Sequence, residues 1–370
     1  MLYQLLRRET MGTQKQGYIL VFTLIIIAIT TALATYVYNR GIIFFSYTST
    51  ILDQERARQL ALGGVNIAYA QLNYQEKKDE KEKKGVADTG GEKEEKKDSE
   101  EKAFLKRLLP TLNRWQEYSF SEDKDGLDGT VRFCVVCEQG KININSMYDF
   151  QKHAFIGDEK EEKGGNKVIV QNICSRLEKE LKIKDLFASL EQFLKKREYP
   201  LNDITELLAI KDFVSFKGAL YYDPPQTKEK QYPLYLTDIF TVYSPDEKIE
   251  PWLLSDSVCG ICGLGRVQFD DGQKRKKMVQ EWTKPFTEST NWKDQWATIL
   301  KPMYEKELQS LPEGIDSIFS TTFSPTCFSI IAEAVVGKAA RRIWVVCERH
   351  KKEEQEKTEY EMRIKRIYWL

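Results

Sequence analysis

The chain is nearly without histidine. His153 and His350 are its only two, and both sit among polar neighbours. A Ser-His-Asp triad or a His-rich metal centre needs more than that. Charge of one sign is lacking as well, since Lys+Arg and Asp+Glu each total 56. Without a basic surplus the chain offers no electrostatic footprint for nucleic acid. Phosphate loops are missing too. Gly260-Ile261-Cys262-Gly263-Leu264-Gly265 has neither the Gly-x-Gly-x-x-Gly order nor the Lys-Ser/Thr of a P-loop, and reads as a turn. With so few convergent titratable groups, no enzyme and no cofactor are expected. The most informative absence is local: from Tyr18 to Tyr38 there is no charged residue.

An apolar run of that length crosses the roughly 30 Å hydrocarbon core as one helix. Before it, Arg7, Arg8 and Lys15 are opposed only by Glu9, which favours a cytoplasmic N-terminus. The run is too long for the apolar region of a secretory signal, and no small-residue cleavage site follows it. The obvious processing site, Gly17–Tyr18, precedes it instead. Residues 1–17 are therefore expected to be a leader, and 18–38 the membrane span. Ala57, Leu60, Ala61, Gly64, Ile67, Ala68 and Leu72 then recur at three- and four-residue steps. This predicts an amphipathic helix continuous with the span to about residue 75, roughly 85 Å in all.

The seven cysteines are Cys134, Cys137, Cys174, Cys259, Cys262, Cys327 and Cys347. An extracytoplasmic setting permits disulfides, though an odd number leaves one over. Two C-x-x-C pairs invite a zinc reading. Cys134 and Cys137 lie in a predicted strand, where side chains three apart face opposite sides. Cys259 and Cys262 fall in a glycine-rich stretch read as a loop. Structural cysteines or disulfides are expected over zinc. Calcium would suit the acidic loops at Glu122, Asp123, Asp125 and Asp128 or at Asp270-Asp271, but neither has EF-hand spacing, and a solvated loop is the better reading.

Beyond the long helix, 76–102 is almost wholly Lys, Glu and Asp and reads as a solvated low-complexity loop. After the Asp125–Gly129 turn, Val131–Val136 reads as a strand, and Glu138–Asn145 as a second short extended segment. Helical spacing follows at Val170–Leu181 and Leu186–Leu194. Asn202 or Asp203 is expected to cap a helix over Ile204–Ile210, with Glu206 reaching back. Ile239–Tyr243 and Lys248–Glu250 read as extended. Met278–Glu307 reads as helix broken by Pro285 and Pro302. Cys327–Val336 and Arg342–Cys347 read as strands paired across Gly337, and a charged loop at Lys351–Lys357 leads to a last strand, Tyr360–Leu370. Strands before and after a helical block imply that the block interrupts a sheet.

Four features carry a resemblance to the K-type minor pseudopilins of type II secretion (the GspK, or general secretion protein K, family). They are the leader ending at Gly17, Ala57-Arg58-Gln59-Leu60-Ala61-Leu62-Gly63-Gly64-Val65, and Glu138-Gln139-Gly140-Lys141-Ile142-Asn143-Ile144-Asn145, with Pro200–Leu208 and Leu236–Tyr243 as the fourth. The third is the most specific, through Gly140, Lys141, Ile142, Asn143 and Asn145. The resemblance covers most of the chain but weakens after residue 250, where Lys248-Ile249-Glu250-Pro251-Trp252 replaces the family's repeated Ile-Asn segment.

The resemblance implies an α+β, pilin-like fold: a long transmembrane helix, an antiparallel sheet and an inserted helical domain. The implied divisions are 18–75 for the helix, 103–147 for the first part of the head, 148–238 for the insert and 239–370 for the second part. It also implies cutting after Gly17 by prepilin peptidase, N-methylation of Tyr18 and an inner-membrane protein with a periplasmic head. The implied partners are the I- and J-type minor pseudopilins and the major pseudopilin. Phe22, fifth after the cut, stands where most pilins have a glutamate that pairs with a neighbour's terminal amine. A subunit with none above it has no such amine, so Phe22 implies the tip of the filament. A type IV pilus minor pilin and a single-pass anchored receptor are the alternatives.

Overall fold

Small residues spaced along a helix let it lie close to a sheet, and this contact organises the molecule. The computed structural model describes residues 2–73, 100–157, 165–224, 234–265, 272–286, 292–354 and 357–370. The charged run lies outside these residues as far as 99, as does Asp270-Asp271. α1 (Leu2–Asn73) is one unbroken helix. α2 (Glu100–Leu108), β1 (Gln116–Phe120), α3 (Glu122–Asp125) and β2 (Gly129–Cys137) follow. After a 3₁₀ turn at Glu138–Gly140 come β3 (Ile142–Asn143), α4 (Ile144–Met147), β4 (Tyr148–Asp149) and β5 (Ala154–Phe155). α5 (Asn166–Leu181), α6 (Leu186–Lys195) and two 3₁₀ helices, Ile204–Ala209 and Lys211–Ala219, lead to α7 (Leu236–Ile239) and β6 (Phe240–Thr241). α8 (Asp256–Cys262), α9 (Gly272–Thr283), α10 (Trp292–Gln295), a π turn and α11 (Lys301–Tyr304) precede β7 (Cys327–Val336), β8 (Ala339–Glu354) and β9 (Lys357–Trp369).

The five-stranded sheet runs β1-β2-β7-β8-β9, antiparallel throughout. Alternate residues divide its two faces. Val131, Phe133, Phe328, Ile330, Ala332 and Val345 face α1, packing with Ala61, Val65, Ala68 and Leu72. Cys134, Val136, Ile331, Trp344 and Val346 face the other way, under Tyr222 and Tyr243. At Gly64 helix and sheet come closest: a Cβ there would stand 2.8 Å from Val131 Cγ2. This is the expected α+β arrangement of a long apolar helix, an antiparallel sheet and further helices.

The chain leaves the sheet at Cys137 and returns at Cys327, and these residues lie side by side because Cys137 pairs with Phe328. Between them, α5 and α6 form at the predicted spacings, and Asp203 caps the Ile204–Ala209 helix in a capping box with Glu206.

Several expectations need correction. Glu138–Asn145 is not an extended segment but a 3₁₀ turn, the two-residue β3 and the start of α4. Its polar side chains bend the backbone locally, with Asn143 Oδ1 accepting from Asn145 N at 3.1 Å. Only two residues of 239–243 are strand, and they pair with β3 rather than with the large sheet. Ile249 makes a single parallel bridge to Phe319. Cys259 and Cys262 are in helix α8, not a loop, because Ser255 caps its start and Gly263, at φ +62°, ends it. Pro302 does not break a helix; it sits in the first turn of α11, where its missing N–H costs nothing. Lys351–Glu354 extend β8 and pair with Lys357–Tyr360 of β9, so the expected charged loop is hairpin on both sides of residues 355–356.

Candidate functional site: an apolar stalk on a keyed head

α1 divides into two halves by exposure. From Tyr18 to Leu52 its large apolar side chains are open, whereas Ala57, Ala61, Val65, Ala68 and Leu72 are buried on the sheet. It is a helix long and apolar enough to cross a membrane, by length and composition. Its hydroxyls suit lipid because they are satisfied within the helix. Thr30 Oγ1 donates to Ile26 O at 2.9 Å, Thr31 Oγ1 to Ile27 O at 2.8 Å and Thr35 Oγ1 to Thr31 O at 2.9 Å. Arg40 is the first charge after the run, and its guanidinium lies 5.5 Å from the Tyr36 ring centre. The Gly17–Tyr18 bond falls inside α1; Tyr18 is 75% exposed and Phe22 55%.

The other site residues gather where the chain leaves and rejoins the sheet. Gly140 lies so close to the 253–254 backbone that a Cβ would stand 1.9 Å from Leu253 O. Lys141 is buried and pairs with Glu138, and its Nζ lies 3.3 Å from Ser329 Oγ on β7. Glu138 also accepts from Thr241 Oγ1. Ile142 pairs with Phe240 and Asn143 with Thr241. Asn143 Nδ2 donates to Ser244 O at 3.0 Å. Asn145 and Leu201 exchange two hydrogen bonds of 2.9 Å each. Gln139 Oε1 accepts from Cys327 N at 3.0 Å, and its Nε2 donates to Ser324 O at 3.1 Å.

The three sequence stretches around 138–145, 200–208 and 236–243 thus meet at one junction. Asp203 closes it: Oδ1 accepts from Thr205 N, and Oδ2 from the Tyr243 hydroxyl at 2.8 Å and the Tyr368 hydroxyl of β9. Burial works to raise the Asp203 carboxyl, but these donors outweigh it and hold it below the usual carboxylate range.

Sequence reasoning missed two buried carboxyls beside this junction. Asp238 Oδ2 accepts from Ser257 N at 2.7 Å, while Oδ1 has no partner among the described residues. Burial pushes Asp238 up to about 7 against the pull of Lys141. Glu250 is also buried, and neither of its oxygens has a partner among the described residues. Burial, then the nearby Asp246 charge, raises it well above the ordinary range. Neither was visible in advance, since nothing in Leu236-Thr237-Asp238 or Lys248-Ile249-Glu250 marks a carboxyl as interior.

None of the seven cysteines is in a disulfide, and all are buried. Cys134 and Cys137 lie on opposite faces of the sheet, as their spacing predicted. Among the described residues no cluster of three His, Cys, Asp or Glu could hold a metal. At Glu122–Asp125 the chain forms α3, with Asp125 Oδ2 accepting from Ser121 N at 2.9 Å.

No protein-family model matches the chain, and no curated protein matches it. Among solved structures it is similar to a chain of the complex of GspK, GspI and GspJ from the type 2 secretion system of enterotoxigenic Escherichia coli. That similarity has 10% identity and a TM-score of 0.38, and covers 73% of this chain and 92% of that one.

Proposed function

We propose that this chain is a non-enzymatic minor pseudopilin of the K type, placed at the tip of a type II secretion pseudopilus. There it initiates the filament and supports protein export across the outer membrane. One observation carries this reading: a single helix whose exposed apolar half fits a membrane and whose second half is buried on an antiparallel sheet. Such a part is suited to be held in a bilayer first and in a bundle of like helices later. The basic leader favours an N-terminus in the cytoplasm and a head in the periplasm. Small residues at Ala28, Ala32 and Ala34 favour close packing with the helices of I- and J-type partners. Phe22, in place of a carboxylate, suits a subunit with no neighbour above, and the helical mass between β2 and β7 supports the same placement.

Mass spectrometry of the N-terminus of the membrane-extracted protein tests the reading. The expected species starts at N-methylated Tyr18 and requires prepilin peptidase. A working protein that retains residues 1–17 overturns it.

A further inference from the structure

The apolar, exposed part of α1 is longer than a bilayer. Tyr18 to Leu52 spans about 50 Å at 1.5 Å per residue, against roughly 30 Å of hydrocarbon. Arg40 interrupts it, and a cation with an aromatic beside it marks the membrane surface. Beyond Arg40, Ile42, Ile43, Phe44, Phe45, Tyr47, Ile51 and Leu52 form an apolar collar that is still exposed. At 100° per residue they point all round the helix, and a helix apolar on every side is one that is buried, in a membrane or among other protein segments.

The sheet continues this surface. On β9, Ile367 pairs with Val345, Trp369 with Ile343 and Ile364 with Cys347. Directly opposed residues share a face, and these three partners belong to the core beneath α1. Ile364, Ile367 and Trp369 are therefore on the α1 side of the sheet, yet they are 51%, 46% and 40% exposed. The Arg58 guanidinium of α1 stands 5.1 Å from the Trp369 ring centre, which confirms the face. β9 is antiparallel to β8, so Trp369 is at the end nearest the collar and Ile364 farther along, in a row parallel to α1.

Spacing identifies the occupant. α1 packs mainly over β7 and β8, also over β2, and only touches β9. β9 is two strands from β7, about 9.6 Å away. Packed helices sit about 8–10 Å apart. A helix beside α1 on the collar would therefore lie over β9 without changing direction.

We infer that the row Ile364, Ile367 and Trp369 seats the N-terminal apolar helix of a sister subunit, running parallel to α1 and already touching the collar at Phe45. This deepens the proposed function and rests on it. The test places a photoreactive benzophenone amino acid at Phe45, Ile364 or Ile367 of the full chain in its native membrane, with exposed Ile156 as control, and identifies the cross-linked peptides by mass spectrometry.

The expected result is one partner: all three positions join to the apolar N-terminal helix of the same other chain, and Ile156 does not. If Phe45 joins such a helix while Ile364 and Ile367 yield lipid, a strand, a second copy of this chain or nothing, the shelf is overturned and the stalk reading stands. If no position, Phe45 included, joins another chain's helix, both fall together.

Discussion

Lys141 shows how much depends on a single side chain. Its ammonium is buried against Glu138 and reaches Ser329 on the returning strand. Removing one member of a buried pair strands the other charge, whereas removing both does not. Lys141→Met is therefore expected to destabilise the detergent-solubilised chain by about 3–5 kcal/mol in urea unfolding, with Glu138→Gln added to it recovering most of the loss. Asp238 sets a pH dependence. Its carboxyl titrates near 7 when folded because it is buried, against about 3.9 unfolded. The folded state holds the proton more tightly, so this contribution is complete below about 4 and is lost as pH rises through about 7. Glu250, raised for the same reason, acts in the same direction. Asp238→Asn should flatten the fall in melting temperature between pH 5 and pH 8; an unchanged slope would contradict the interior carboxyl. Lys141 stood out in the sequence by its motif. Its partners across the junction did not, because contact between segments so far apart in the chain leaves no local pattern.

At the scale of elements, α1 was the most legible, since the apolar run and the small-residue spacing each encode their own environment. Its two adjacent glycines make the packing testable. A Cβ on Gly64 meets Val131 and Ala332, whereas a Cβ on Gly63 meets nothing within 4 Å. Gly64→Val is expected to cost about 1–3 kcal/mol through overpacking, and Gly63→Ala to gain about 1 kcal/mol of helix propensity. Thermal unfolding of the two variants should shift in opposite directions. The β7–β8 hairpin was legible for a similar reason, with the β-branched pairs Ile330-Ile331 and Val335-Val336 before Gly337 and Val345-Val346 after it. β1 was not. Glu117, Tyr118 and Ser119 at its centre are exposed, so this edge strand carries no buried alternation to read. α8 was hidden by glycines that read as a turn, though only Gly263 ends the helix.

At the scale of the molecule, a helical block was expected over 148–238, whereas the chain is away from the large sheet from Glu138 to Thr326, and its point of attachment was not legible. That depends on β2 and β7 being neighbours, a pairing known only once the chain is folded. The attachment lies at the end of the sheet farthest from the stalk: α1 passes Val336 and Ala339 near Ala57 and reaches the far end near Leu72. This has a mechanical consequence. A tug along α1 is resisted by sliding friction between that helix and β2, β7 and β8, like a rod drawn along a rail. The block, moored by both ends at the remote edge, lies outside that line of tension, so load on the helix leaves its own packing undisturbed.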